Sequence, residues 1–236
     1  MLLAPKLDLF GVADGMGGHN AGEVASALAA LSLEDCFAVS LTEPLPRELV
    51  GDDQDLPQGA LRLAASVRKA NGDVYEISKT HRQHRGMGTT VVAVHVAHEG
   101  DEIHIAHVGD SRCYRIRDGG IEQMTADHSL VGDALRWNPK LTKEDLARLP
   151  QNVISRAIGR AATVEVDLRT EPLREGDIYL LCSDGLSGMV EDESLLALVR
   201  EAPSLDEACK RLLAAANEGG GDDNITVVLV RIDLRS

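Results

Sequence analysis

The stretch from Val12 to Ser26 reads VADGMGGHNAGEVAS, and it joins an apolar strand to a helix through an acidic, glycine-rich turn. Asp14 ends the strand, and three glycines follow within four positions around Met16. Glycine allows backbone conformations and close approaches that residues with a Cβ atom resist. A carboxylate beside so much backbone freedom is an unusual end for a strand, and the same combination returns three more times along the chain.

The other three junctions read AHVGDSR, LLCSDGLSG and GGGDDNITVV, and their acidic residues are Asp110, Asp184, and the pair Asp222 and Asp223. A single Asp-Gly pair is more often a turn than a ligand. Burying several carboxylates together costs many kcal/mol unless cations lie between them. Aspartate oxygens favour hard divalent ions such as Mg²⁺ or Mn²⁺. Four such junctions at the edges of apolar strands therefore indicate a shared metal site that includes Asp14.

The chain has 236 residues and a formal net charge of −14, from 38 acidic and 24 basic side chains. That length allows one large domain or two small ones with a substantial core. An acidic surface repels nucleic acid and anionic lipid, so we expect neither as a partner. We interpret most of the excess charge as a solvated face and a minority of the carboxylates as cation ligands.

The cysteines are widely spaced, lie in apolar stretches and include no Cys-x-x-Cys pair: Cys36, Cys113, Cys182 and Cys209. This favours a reduced cytosolic protein over a disulfide scaffold or a zinc site. No apolar run approaches the roughly 18 residues of a membrane span, and no signal peptide precedes the first strand. The sequence predicts a soluble, cytoplasmic protein, and nothing in it requires more than a monomer.

Hydrophobic periodicity predicts an α+β fold. Two long helices, Glu23 to Leu41 and Gly59 to Ser78, are followed by a run of β-branched strands as far as Met124. The segment from Ala126 to Ala162 is polar and irregular, and a segment of that length inside a domain is typically a lid or flap. Further strands, two short helices and a closing strand complete the pattern, which is typical of helices packed on antiparallel sheets.

These junctions resemble those of a known family, the metal-dependent Ser/Thr protein phosphatases (PPM, or type 2C), in their compact bacterial form. The matching stretches span Leu9 to Ile232 and read, in order, LFGVADGMGGHNAGEVAS, GMGTTVVAV, IAHVGDSRCYRIRDGGIEQMTADHSL, NVISRAIG, GDIYLLCSDGLSGMV and GGGDDNITVVLVRI. The resemblance implies a single domain over residues 1–236, built as a four-layer α/β/β/α sandwich of two antiparallel sheets flanked by helix pairs. It also implies that residues 126–162 are the family's flap.

The resemblance implies metal-dependent hydrolysis of phosphoserine and phosphothreonine in proteins, with Ser/Thr kinases and their targets as partners. Two Mn²⁺ or Mg²⁺ ions would lie at one end of the sandwich. Carried over by motif, Asp14 bridges both ions, the Gly15 carbonyl binds one of them, and Asp184 and Asp223 hold the other. Asp110, with Asp184, matches the ligands of a third and weaker ion. A metal-activated water attacks phosphorus in this mechanism, so no covalent nucleophile is needed.

The histidines have weaker interpretations. Many relatives have histidine directly after the Asp-Gly pair, where this chain has Met16, and His19 is the nearest candidate for a general acid. A contact at the helix entry is the alternative that we favour for His19. We interpret the strand histidines as sheet-surface positions rather than a metal cluster, and His81 and His84, among Lys79, Arg82 and Arg85, as a solvated helix C-terminus. We expect Asp222 to adjust the charge beside Asp223 without binding metal.

The family pattern begins one strand earlier, with an arginine that binds the substrate phosphate and a carboxylate that binds one metal. Here only Leu2 and Leu3 can represent the end of that strand. One explanation is that the natural protein begins upstream and has both groups. Others are a weakened phosphatase, a binding module that keeps the fold without hydrolysis, and an unrelated metal-binding structural domain.

Overall fold

A computed structural model describes residues 1–17, 19–51, 53 and 55–233, apart from the side chains of His19 and Lys143. Its strands are β1 (Leu2–Ala4), β2 (Leu9–Val12), β3 (Gly15–Met16), β4 (Gly88–Thr89), β5 (Val91–Ala97), β6 (Glu102–Val108), β7 (Arg112–Arg117), β8 (Gly120–Gln123), β9 (Asp167–Pro172), β10 (Ile178–Cys182) and β11 (Val227–Arg231). Its helices are α1 (His19–Ser40), α2 (Arg47–Val50), α3 (Gln58–Thr80), α4 (Leu130–Trp137), α5 (Lys143–Leu146), α6 (Asp184–Ser187), α7 (Asp192–Arg200) and α8 (Leu205–Glu218). Within the described ranges, no helix has the length and apolar character needed to cross a membrane.

The strands form two main sheets in which every pair is antiparallel. The first has the order β1-β2-β5-β6-β9, and the second has the order β11-β10-β7-β8. The short strands β3 and β4 pair separately. Strands β2 and β5 occupy the interior of the first sheet, and β7 and β10 occupy that of the second, so their ends can carry buried functional groups.

The two sheets pack face to face through alternating side chains. Val92 and Val94 of β5 and Ile105 of β6 point between the sheets, where they meet Tyr179 and Leu181 of β10. All five side chains are buried. Successive side chains of a strand point to opposite faces. The intervening residues of the same strands therefore face outward, toward the helices.

Two pairs of helices cover the outer faces. The apolar stripe of α3 is fully buried with α1 against the first sheet, through Leu63, Val67, Ala70 and Val74. Helices α7 and α8 cover the second sheet with Leu195, Val199, Ala208 and Leu212. The predicted α+β class with antiparallel sheets flanked by helices is confirmed, in the layer order helix, sheet, sheet, helix.

Several sequence-based boundaries need correction. Helix α1 begins at His19 rather than Glu23, because the glycines after Asp14 conceal the helix start. The segment from Ala126 to Ala162 is not irregular throughout, since it contains α4 and α5. Ser129 caps α4 by accepting a hydrogen bond from the Gly132 amide (3.1 Å).

The interpretation of the strand histidines as sheet-surface positions is wrong for His104 and His107, which are buried. His95 and His104 pair across β5 and β6, with ring centroids 5.8 Å apart. A Cβ atom added to Gly59 of α3 would lie 2.6 Å from the His104 ring, so the helix packs directly on these rings. The sequence did not show that a helix covers this face of the sheet.

Candidate metal centre

One end of the sandwich contains a cavity of about 640 Å³, and all five predicted metal-binding residues line it. Asp14 follows β2, Asp110 lies between β6 and β7, Asp184 begins α6 directly after β10, and Asp223 precedes β11. Gly15 follows Asp14 at the start of β3. The interior strands of both sheets end here, so residues more than 200 positions apart meet at one site.

The carboxylates of this cavity repel one another. Burial, together with the charges of Asp184, Asp223 and Asp110 and a hydrogen bond to Asp184, raises the pKa of Asp14 to about 7. Burial, and then the charge of Asp184, raises the pKa of Asp110 to about 6. A cation between these groups would remove the repulsion, and their donors are all oxygen. The residues therefore fit a hard divalent ion.

Two threonines and a serine fix the backbone of Asp14. The Asp14 amide donates to Oγ1 of Thr90 (3.0 Å), and its carbonyl accepts from Oγ1 of Thr89 and from the Thr90 amide (both 2.8 Å). Oγ1 of Thr90 also bonds Oγ of Ser111, next to Asp110, at 2.7 Å. The backbone of Asp14 is thereby joined to the segment that carries Asp110 through the buried hydroxyl groups of Thr90 and Ser111. Sequence reasoning missed these residues, because threonine is common in strands and nothing in the pattern marks it.

The glycines beside the aspartates allow close backbone contacts. A Cβ atom on Gly15 would lie 2.0 Å from the Gly22 carbonyl oxygen of α1. A Cβ atom on Gly185 would lie 2.5 Å from the Asn224 carbonyl oxygen. No side chain fits at either position without moving the backbone, so these glycines set the separation of the segments that carry the aspartates.

Arg112 also lines the cavity, but its guanidinium group is already engaged. Its Nε and Nη2 atoms donate to the carboxylate of Asp127 at 2.7–3.1 Å, and Nη1 donates to the Tyr114 hydroxyl at 2.9 Å. Burial disfavours the charge on Arg112, but bonding to Asp127 outweighs burial and holds its pKa above the ordinary value. This bidentate pair ties β7 to the start of the segment 126–162.

A buried pair of histidines anchors the same segment. Nδ1 of His128 accepts a hydrogen bond from the Gly109 amide (3.0 Å), and Nε2 of His107 bonds the Ala126 carbonyl (2.9 Å). The two rings stack at 4.6 Å with planes 13° apart. Asp167 lies 3.3 Å from Nε2 of His128, so one ligand atom from each of these three residues falls within a 4.8 Å span.

This cluster is a poor metal site despite its composition. Nitrogen lone pairs lie in the ring plane, so two stacked, nearly parallel rings direct them within separate planes rather than to one point. Asp167 is also ion-paired with Arg156. The cluster holds the base of the segment 126–162, while Ser129, Gln151 and Asn152 of that segment form one wall of the cavity.

The remaining sequence predictions have mixed outcomes. Asp222 lines the same cavity beside Asp223. The side chain of His19, the candidate general acid, lies outside the described residues, so its role stays a prediction. Met16 lines the cavity at the position that follows the Asp-Gly pair.

Comparison with known proteins gives consistent matches. The serine/threonine phosphatase stp of Listeria monocytogenes serotype 4b (strain F2365) is 37% identical over 224 residues, which is 94% of this chain and 84% of that protein. A crystal structure of the Mycobacterium tuberculosis serine/threonine phosphatase PstP/Ppp superposes with a TM-score of 0.80 at 37% identity, covering 96% of this chain and 88% of that one. A structure of the PstP catalytic domain in complex with two manganese ions has a TM-score of 0.78, the same identity and the same coverage.

The fold is an α/β/β/α sandwich, and a cavity lined by carboxylates that fit divalent cations lies at one end of its sheets. The protein phosphatase 2C family model matches residues 3–226 of the chain. The protein belongs to this family, as the resemblance of its motifs indicated.

Proposed function

We propose that the protein hydrolyses phosphoserine and phosphothreonine in proteins, with two Mn²⁺ or Mg²⁺ ions as cofactors. The observation that carries the proposal is the convergence of Asp14, Asp110, Asp184 and Asp223 in one cavity. Related Ser/Thr phosphatases, one of them solved with two manganese ions, support it. No feature of the described residues favours the alternative of a binding module without hydrolysis.

We assign the residues as the motifs imply. Asp14 would bind both ions, the Gly15 carbonyl one of them, and Asp184 and Asp223 the other, with Asp110 and Asp184 available to a third. When bound, the ions would lower the pKa of a water molecule and so supply the nucleophile for hydrolysis of the phosphate ester. The hydroxyl groups of Thr89 and Thr90 hold the Asp14 backbone in place, so its carboxylate, after releasing its proton to the solvent, would be positioned to bind a cation.

Further proposals concern the domain organisation, the oligomeric state, the cellular location and the partners of the protein. Residues 1–236 act as one phosphatase domain, and residues 126–162 act as its flap, because they form a wall of the cavity and are anchored at both ends. The protein works as a cytoplasmic monomer in signalling, on the targets of Ser/Thr kinases. The acidic net charge supports the expectation of no nucleic acid or membrane partner.

The test is phosphate release from a phosphothreonine peptide and from p-nitrophenyl phosphate, with Mn²⁺ and then with excess chelator. Asp184→Asn and Asp223→Asn should each lower the rate at least 100-fold and weaken Mn²⁺ binding measured by calorimetry. The control is Asp101→Asn, in an exposed turn between β5 and β6, which should match the parent. Full activity and unchanged Mn²⁺ affinity in the Asp184/Asp223 double variant would refute the assignment.

A further inference from the structure

A second concave surface, outside the metal centre, is lined by basic side chains. It has a volume of about 380 Å³ and lies where the C-terminal end of α3 meets the start of β4. Three cations line it: Lys79, Arg85 and Arg160. None of the other residues that line it is acidic, in a protein whose net charge is −14. We call it the basic pocket.

These cations have no carboxylate partner within the described part of the chain. Within the same ranges the Arg85 side chain takes part in no hydrogen bond or ion pair, although its backbone amide donates to the Arg82 carbonyl (3.4 Å). Nζ of Lys79 lies over the Tyr75 ring, 5.3 Å from its centroid. Arg160 donates one hydrogen bond, to the Gly86 carbonyl (2.9 Å). Other arginines of the chain hold carboxylates, as Arg112 and Arg117 do. The basic pocket therefore keeps guanidinium and ammonium donors available for an anion from outside.

The local backbone holds these donors together. The Gly86 amide donates to Oγ of Ser78 (3.0 Å), which closes the turn after α3 and fixes the position of Arg85 beside it. Gly86 also accepts the hydrogen bond from Arg160, so one turn holds cations from two distant segments. A Cβ atom on Gly88 would lie 3.1 Å from Cδ of Arg160, so the arginine lies against β4.

The basic pocket adjoins the metal centre. Strand β4 pairs with β3, whose residues Gly15 and Met16 line the cavity of the metal centre. Thr90, which bonds the Asp14 backbone, lies four residues after Gly86, or about 13 Å along extended backbone. An extended peptide covers about 3.3 Å per residue. A peptide with its phosphate at the metals can therefore reach the basic pocket with a residue about three to five positions away.

We propose that Lys79, Arg85 and Arg160 form a substrate-specificity subsite that binds an anionic side chain about four positions from the phosphorylated residue. The ligand chemistry is a carboxylate or a second phosphate, both of which match the arginine fork. The inference rests on the proposed phosphatase function. Because the net charge of −14 repels acidic peptides in general, the basic pocket selects the position of the acidic residue rather than acidity as such.

The experiment uses phosphothreonine peptides that are otherwise neutral, with one aspartate moved through positions −6 to +6. A second set carries a non-hydrolysable phosphonate in place of the aspartate. The parent protein should show a kcat/KM at least fivefold higher when the anion is three to five positions away on one side. A larger gain from the phosphonate than from aspartate identifies a phosphate site, and equal gains identify a general anion site, so either outcome supports the subsite.

The variant Arg85→Gln/Arg160→Gln should reduce this preference to less than twofold and leave hydrolysis of p-nitrophenyl phosphate unchanged. Arg174→Gln/Arg231→Gln has the same net charge and alters exposed arginines elsewhere, so it should keep the preference. A parent that cleaves every peptide at one rate would overturn the subsite while the proposed function stands. Loss of the positional preference in both double variants would attribute that preference to net charge and would also overturn the subsite. Failure to cleave any phosphopeptide would instead overturn the proposed function.

Discussion

Binding of Mn²⁺ should release protons, because two carboxyl groups of the metal centre hold them near neutral pH. The pKa of Asp14 is raised to about 7 and that of Asp110 to about 6, mainly by burial and then by neighbouring carboxylates. The metal-free protein should therefore carry about 1.4 protons on these two groups at pH 6 and about 0.1 at pH 8. Cations that bind these two carboxylates displace the protons to the solvent.

The same values give the change in affinity. Competition from protons on Asp14, the residue assigned to both main ions, weakens their binding by a factor of about 11 at pH 6. At pH 8 the corresponding factor is about 1.1. The apparent dissociation constant for Mn²⁺ at this site should thus be about 10-fold larger at pH 6 than at pH 8, or about 1.4 kcal/mol. An ion that binds Asp110 meets a separate factor of about 2 at pH 6.

Titration calorimetry at each pH, in two buffers with different protonation enthalpies, measures both the affinity and the number of protons released. Asp110→Asn should lower the release at pH 6 to about 0.9 proton or less, because it removes one titrating group and one negative charge near Asp14. Asp101→Asn, remote from the cavity, should behave as the parent. Equal Mn²⁺ affinity at pH 6 and pH 8, without proton release, would show that the carboxylates are not held together as described.

Two further predictions concern packing and pH. Gly185→Ala should weaken Mn²⁺ binding, measured by calorimetry, at least 10-fold, because a Cβ atom there would lie 2.5 Å from the Asn224 carbonyl oxygen. The control Gly72→Ala, where no atom lies within 4 Å of the added Cβ, should leave the affinity unchanged. Burial lowers the pKa of His95 to about 4, so its contribution to stability is present above pH 6.5 and is lost as the pH falls toward 4. Over that range the unfolding free energy of His95→Leu, measured by urea denaturation, should fall by about 2 kcal/mol less than that of the parent protein. This figure converts the lowering of the pKa from 6.5 to about 4 and discounts it for partial exposure. His81→Gln should behave as the parent.

The fold was predictable where side-chain periodicity reports burial directly. The stripe from Leu63 to Val74 gave the core face of α3, and the β-branched runs between Gly86 and Met124 gave strands of the sheets. The start of α1 and the short helix α4 were not predictable. In both places glycine interrupts the pattern, and contacts with distant segments decide the local structure.

The carboxylates of the metal centre were predictable because burying several acidic side chains together at strand ends costs free energy unless a cation lies between them. The groups that position them were not. Thr89 and Thr90 resemble ordinary strand residues, and the pairing of Arg112 with Asp127 joins positions that carry no mutual sequence signal. Sequence therefore identified the carboxylates that line the cavity and missed the residues that fix their geometry.

The basic pocket shows the same limit on the surface of the protein. Lys79 lies in the last turn of α3 and Arg85 follows the helix. Cations near a helix C-terminus interact favourably with the helix dipole, so the sequence favoured a solvated helix end. That interpretation accounts for each charge singly. It does not account for Arg160, which lies 75 residues after Arg85 in the chain and donates a hydrogen bond to the same turn. Arg160 is the third cation of the basic pocket and has no carboxylate partner among the described residues. A helix end needs no such addition, whereas an anion-binding subsite beside the metal centre does.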